Sequence, residues 1–258
     1  MSEMRYRAVP EKTLFIDLPD SKGLKIKAIL RGSFKNPLVI LVHGRPGSGN
    51  DLLEYLGARY LYEQGFSSLR IFLYDEDPRS RNMFDCTLQT HANDLDTVIQ
   101  YAKQQKTPKI FATGHSYGGP TILLAKEKFD SVVLWDPSHG SLWQEKAKEL
   151  KQTLPEKELG DYIIGLIGPG WVFGKKMVDD ETHWGDTTYW AARKTYPVKI
   201  INASEGVLAG YGKRYIEVAS EPKEYLTIPG AGHMFDESDE ITLRLFKETA
   251  EWFNRFKS

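Results

Sequence analysis

Hydrophobic residues along this chain follow two rhythms. Short runs of β-branched, aliphatic and aromatic residues at 14–18, 24–30, 38–43, 69–74, 109–113, 132–135, 198–202 and 224–228 read as strands. Amphipathic stretches at 50–63, 91–104, 118–128, 212–219 and 240–256 read as helices. Around Asp94 the helical period is plain: Leu95, Val98, Ile99 and Ala102 share one face, and Asp94, Lys103 and Gln104 lie off it. The run Leu38-Val39-Ile40-Leu41-Val42 is apolar without alternation, which marks a strand covered on both faces. From the third strand onward, strand and helix alternate. That order predicts right-handed crossovers and a mostly parallel, doubly wound α/β sheet of eight strands.

The rhythm breaks once. Between 137 and 196 no strand is predicted; a charged helical segment at 144–151 precedes a Gly-rich stretch carrying Tyr162, Trp171, Phe173, Trp184, Tyr189 and Trp190. Such a length exceeds a plain connection within a sheet domain, so 137–196 reads as a helical lid. The core domain is then formed by 1–136 and 197–258.

A chain of 258 residues suffices for one such domain with a large core. The formal charge of −1 supplies no field toward nucleic acid or an anionic membrane, so neither is an expected partner. Cys86 is the only cysteine, which excludes an intrachain disulfide and a Cys-rich zinc site. Segment 1–12 is polar and lacks the apolar centre of a secretory signal, and no run approaches the roughly 18 apolar residues of a membrane span. A cytoplasmic protein is the expectation; the oligomeric state is open.

The strongest chemical signal is Gly114-His115-Ser116-Tyr117-Gly118, set between the strand ending at Thr113 and the helical run that follows. A strand-to-helix turn this sharp strains its central residue and needs small neighbours. In return it holds a serine hydroxyl above the sheet edge. Taken without that context, the pentapeptide is only a Gly-rich turn with an incidental serine. A serine hydroxyl attacks a carbonyl only when a base takes its proton. His233 lies in the Gly-rich loop Gly230-Ala231-Gly232-His233 after the last strand, from which an imidazole can reach across the sheet's carboxyl edge. Of the other histidines, His43 reads as bonded to local backbone, His91 as the start of a helix and His183 as part of the lid. His115 points away from the serine, and His139 is the rival base. Two backbone N–H groups are expected to hold an oxyanion: that of Tyr117, after the nucleophile, and that of Arg45, in His43-Gly44-Arg45-Pro46-Gly47. The Arg45 side chain is expected in solvent, the alternative being contact with a substrate carboxylate.

With these motifs the chain resembles an α/β-hydrolase. His43-Gly44 with Pro46-Gly47, Gly114 to Gly119 at the elbow and Gly230 to His233 near the end carry the resemblance, which runs from about 24 to 256 and omits the lid. It implies a hydrolase that needs no metal or organic cofactor. The third triad member departs from the usual pattern. Members of the family commonly carry the acid after the strand that here reads Val198 to Asn202, where this chain has Glu205-Gly206. Some members, pancreatic-type lipases among them, carry it one strand earlier, where this chain has Asp136-Pro137. Either carboxylate could hold the imidazole's Nδ1–H, so Asp136 and its alternative Glu205 both stand.

The acidic clusters Asp75-Glu76-Asp77 and Asp179-Asp180-Glu181 read as solvated surface charge, without the ligand spacing of a metal site. The expected function is a serine carboxylesterase acting on a small-molecule ester of short to medium acyl chain. Trp135, Trp171, Trp184 and Tyr189 are the candidate walls of an apolar pocket. A thioesterase, peptidase, lipase or carbon–carbon hydrolase fits the same constellation, because the triad sets the reaction class and the lid sets the substrate. A non-catalytic receptor on this fold is the reading from a different class.

Overall fold

The computed structural model describes residues 10–19, 21, 23–153, 156–165 and 171–258, with backbone alone at 143, 147, 150, 151, 153 and 171. In chain order the elements are β1 (Glu11–Asp17), β2 (Lys25–Arg31), β3 (Leu38–Val42), α1 (Leu52–Glu63), β4 (Ser67–Phe72), α2 (Leu88–Gln104), β5 (Ile110–His115), α3 (Gly118–Leu124) and β6 (Ser131–Trp135). There follow α4 (Leu142–Thr153), β7 (Glu156–Leu159), β8 (Tyr162–Gly165), β9 (Trp171–Gly174), α5 (Lys175–Thr182) and α6 (Thr188–Ala192). The chain then returns through β10 (Val198–Ala203), α7 (Tyr211–Val218), β11 (Lys223–Ile228) and α8 (Asp239–Asn254).

All eight predicted strands form one sheet, in the order β1-β2-β4-β3-β5-β6-β10-β11. β2 runs antiparallel to both β1 and β4; every other neighbouring pair is parallel. Period-two alternation splits the core into two layers. Ile40, Val42, Ala112, Val132, Leu134 and Ile200 face α2, α3 and α7, meeting Leu95, Val98, Ile99, Ile122 and Tyr215. Val39, Leu41, Phe111, Val133, Trp135 and Ile201 face α1 and α8, meeting Leu53, Leu61, Phe246 and Phe253. With apolar surface buried on both sides, the central strands must read as continuous apolar runs, as they do.

Two helices differ in length from expectation for local reasons. α2 begins at Leu88 rather than 91 because Thr87 and Thr90 form a reciprocal cap, each side chain accepting the other's backbone N–H. α3 stops at Leu124 because the Asp96 carboxylate captures the N–H groups of Lys126 and Glu127, drawing the chain out of the helix.

The segment between β6 and β10 is not wholly helical. β7, β8 and β9 form a three-stranded antiparallel sheet, where no strand was predicted. Each strand spans four residues and β7 is exposed throughout, so neither length nor alternation could announce it. Along β9, Phe173 turns into the protein and Val172 out. The aromatics of this segment serve largely as its own packing: Phe173 and Trp190 are buried, and Ile163 and Val178 cluster with Phe173. No described helix is long and apolar enough to cross a membrane.

Candidate active site

Strand order places the site. From β3 the chain moves outward to β4, then returns to the other side of β3 as β5, so the direction of winding reverses between β3 and β5. Loops leaving the carboxyl ends of two such strands diverge and leave a crevice between them. Here those loops carry Gly44-Arg45 after β3 and Ser116-Tyr117 after β5.

Ser116 has φ of 52°, the left-handed region that a serine enters only under constraint. The constraint is local crowding. A Cβ on Gly118 would stand 2.2 Å from the Val42 carbonyl oxygen, and one on Gly114 would stand 2.6 Å from the Gly118 carbonyl. Both positions must be glycine for strand, turn and helix to approach this closely. Ser116 N–H donates to the Trp135 carbonyl (3.0 Å), and its own carbonyl accepts the N–H groups of Gly119 (3.0 Å) and Ser138 (3.1 Å).

Asp136 is the next residue across the edge. His115 pairs with Trp135 in the β5–β6 register, so Ser116 and Asp136, one residue further on each, are cross-strand neighbours. Asp136 is fully buried and has φ of 41°. Its Oδ1 accepts Asn202 Nδ2–H (2.5 Å) and the Ala203 N–H (3.2 Å) from β10, while Oδ2 faces His233 Nδ1 at 2.7 Å. The β11–α8 loop thus lays its imidazole over the ends of β10 and β6. Phe235, two residues later and buried, also takes a positive φ, 50°. Of the four described non-glycine residues with positive φ, Ser116, Asp136 and Phe235 border this site and Lys106 does not, a concentration typical of functional positions.

With its proton on Nδ1 toward Asp136, His233 keeps a lone pair on Nε2, the arrangement a general base requires. Beneath it, His115 Nε2–H donates to the His233 carbonyl (2.8 Å), and the two ring centroids lie 4.5 Å apart with the planes tilted by 35°. Burial pushes His115 down to about 3, so it stays neutral beside the base. The Ser116 hydroxyl rests toward Ser138 Oγ at 3.4 Å. Among the described residues, neither the Tyr117 N–H nor the Arg45 N–H has an acceptor, leaving two backbone donors beside the serine. Gly44 passes so near that a Cβ on it would lie 3.0 Å from Ser116 Cβ.

The structure separates the two candidate acids. Asp136 sits on the imidazole, whereas Glu205 is exposed and its carboxylate takes a 3.3 Å contact from Ser204 Oγ. His139 is buried beside Tyr215, with Nδ1 on Ser141 Oγ. His43 bonds local backbone at Gly44, as expected, and also accepts the N–H of Leu73, 30 residues along the chain.

Other expectations need correction. Trp135 is 1% exposed on the α1–α8 side of the sheet, where Nε1–H donates to Thr249 Oγ1 (2.9 Å); it is core, not pocket wall. A strand buried on both faces carries no pattern to tell its two sides apart. Tyr189 is exposed beneath the Arg193 guanidinium, a surface position. Trp184 does border the site region, its ring 5.2 Å from that of Tyr117. The Trp171 side chain lies outside the described residues. The Arg45 side chain is not in solvent: Nη1 stands 2.6 Å from Glu181 Oε2, and Cζ lies 4.7 Å from the Phe173 ring. Asp180 and Glu181 are likewise not free surface charge, since Asp180 Oδ2 accepts the Leu88 N–H that opens α2. Ser138 and Asn202 carry no sequence signal, and Glu181 reads in sequence only as surface charge. Each is an ordinary polar residue whose partner lies far along the chain, and no local spacing marks it.

No family model and no curated protein matches this sequence. Solved structures do. Est1E from Butyrivibrio proteoclasticus aligns over 94% of this chain and 98% of its own at 20% identity and a TM-score of 0.70, and it is also known with ferulic acid bound. The α/β hydrolase GrgF from Penicillium sp. sh18 aligns over 96% and 99% at 16% identity, with a TM-score of 0.74. The esterase domain of a Rhodothermus marinus protein aligns over 96% and 100% at 15% identity, with a TM-score of 0.68. At such identities the likeness speaks for architecture, and the architecture is the α/β-hydrolase fold.

Proposed function

We propose that this α/β-hydrolase-fold chain is a serine hydrolase that cleaves carboxylic esters of short to medium acyl chain through an acyl-enzyme. The observation that carries the reading is the Asp136–His233 contact of 2.7 Å at the strand end next to the Ser116 elbow, with the Tyr117 and Arg45 N–H groups unpaired beside it. Ser116 Oγ attacks the ester carbonyl carbon as its proton passes to His233 Nε2. The carbonyl π electrons move to oxygen, and the resulting oxyanion is held by the Tyr117 and Arg45 N–H groups. Collapse re-forms the carbonyl and breaks the bond to the alcohol, which leaves with the proton from His233. Water then repeats the cycle against the acyl-serine. Asp136 holds the imidazole in the Nδ1–H tautomer and stabilises it once charged. Among the described contacts the Ser116 hydroxyl meets Ser138 and not His233; the reading accommodates this, since catalytic hydrogen bonds often form only when substrate binds.

The segment 137–196 serves as the lid over this site and sets which ester enters. Est1E, known with ferulic acid bound, adds hydroxycinnamate esters to the substrates worth trying. Reaction of the protein with a fluorophosphonate probe, and turnover of p-nitrophenyl esters of graded chain length, test the reading with Ser116→Ala alongside. A parent that neither labels nor turns over would leave a non-catalytic binding protein on this fold.

A further inference from the structure

We propose that Glu181, on the segment between β6 and β10, is a positioning residue for the oxyanion hole. Through the Arg45 side chain it keeps the Arg45 backbone N–H aimed at the reacting carbonyl. The inference rests on the hydrolase reading above, and it makes this segment part of the catalytic frame as well as a cover for substrate.

The loop after β3 is tied to the core at both ends. His43 Nδ1–H donates to the Gly44 carbonyl (2.8 Å) and His43 Nε2 accepts the Leu73 N–H (3.1 Å). Burial pushes His43 down to about 4, which keeps it neutral and able to do both. Beyond Arg45, Gly47 N–H donates to the Tyr74 hydroxyl (2.9 Å) and Ser48 N–H to Asp51 Oδ2 (2.9 Å). Between these anchors Arg45 has no described backbone hydrogen bond, and Pro46 has no N–H to offer. The Arg45 side chain makes the contacts that its backbone lacks.

That side chain lies in the seam between the core and the inserted segment. Nη1 approaches Glu181 Oε2 to 2.6 Å, and the guanidinium also packs over Phe173 (4.7 Å) and Tyr117 (5.8 Å). Tyr117 is the residue that supplies the other donor. The cation carried by one residue of the hole therefore lies over the ring of the other. The two charged side chains are 13% and 4% exposed, so water and salt screen their attraction far less than at a surface. Glu181 is itself a fixed point, because α5 is pinned by Asp180 Oδ2 on the Leu88 N–H (2.9 Å) and by buried Met177. Glu156 feels both charges, yet among the described ion pairs Arg45 has only Glu181.

Glu181→Gln removes the charge at constant shape. For p-nitrophenyl acetate the expected result is a kcat about 10- to 100-fold lower with KM within about twofold of the parent. Affinity for a trifluoromethyl ketone, whose adduct with Ser116 places an oxyanion at the same point, falls by about the same factor. Arg45→Gln, which keeps the backbone N–H, gives the same pattern, and the double variant loses little more than either single one. Arg45→Gln also carries the test if Glu181→Gln does not fold. A pair that only stabilises the fold would lower the melting temperature and leave kcat and inhibitor affinity at parent values well below the transition. That outcome overturns the proposal, as does a double variant whose losses add. A parent that fails to react with fluorophosphonate overturns the hydrolase reading and this one together. That is distinct from a reactive parent matched by an equally reactive Glu181→Gln, which overturns the positioning role alone.

Discussion

His115 Nε2–H donates to the main-chain carbonyl of His233 at 2.8 Å, so the strand that carries the serine also holds the loop that carries the imidazole. This contact puts a second, buried histidine beneath the first, and burial lowers it to about 3. An unfolded chain takes up that proton near pH 6.5, whereas the folded protein resists it until far lower. Stability from His115 is therefore complete above about pH 6.5 and is lost as the pH falls. By pH 5 the loss is on the order of 2 kcal/mol, at roughly 1.4 kcal/mol per unit. Glu54 acts with the opposite sign: burial raises it from 4.5 to about 8, so its cost grows as the pH rises between those values. The informative measurement is thus a difference. Urea unfolding at pH 7 and pH 5 is expected to show a smaller pH dependence in His115→Gln than in the parent, by about 2 kcal/mol. Equal dependences would mean that His115 takes up its proton without penalty in the fold.

The two carboxylates separated by the structure give a direct comparison. Asp136→Asn is expected to lower kcat by about 10⁴-fold, since the amide can no longer fix the imidazole tautomer. Glu205→Gln, at an exposed position, is expected to stay within about twofold of the parent. Ser116→Ala is expected to lose roughly four to six orders of magnitude, leaving what the backbone donors contribute alone. Steady-state hydrolysis of p-nitrophenyl acetate measures all three, and equal effects of the two acid variants would remove Asp136 from its role.

Close approach at the elbow predicts a steep cost for one methyl group. Gly118→Ala would force its Cβ to 2.2 Å from the Val42 carbonyl oxygen, so α3 must move off β3 and take Ser116 with it. A destabilisation of about 1–3 kcal/mol and a fall in kcat of about 100-fold are expected, read by thermal melting and ester turnover. Gly206→Ala is the control. It meets nothing within 4 Å and bears only the strain of a φ of +93°, so it should cost about 1–2 kcal/mol without touching kcat.

The reassignment of Trp135 to the core is testable through its partner. Thr249→Val leaves the indole N–H unpaired in a dry layer, at a cost of about 1–3 kcal/mol in chemical denaturation. Acyl-chain preference should be unchanged. A variant that kept its stability but shifted chain preference would return Trp135 to the pocket.

The sequence by itself determined the sheet. Eight predicted runs became eight strands: the central ones are buried on both faces and can hardly be written any other way, while the edge strands β1 and β11 stay largely exposed or half-buried, and five helices followed from their period. The elbow was equally legible, since Gly114, Ser116 and Gly118 form a local pattern whose steric reason is local. The same holds for the free backbone donors after β3 and β5. Only the tertiary structure decided the rest. Asp136 and Glu205 both sit at strand ends, and which of them meets the His233 imidazole lay in a loop from β11 crossing back over β10, a path set by strand order. The three short strands of the inserted segment carry too few residues for a period to register. The Arg45–Glu181 pair joins residues brought together by packing, and charge attraction across a fold leaves no trace in the spacing of either partner along the chain.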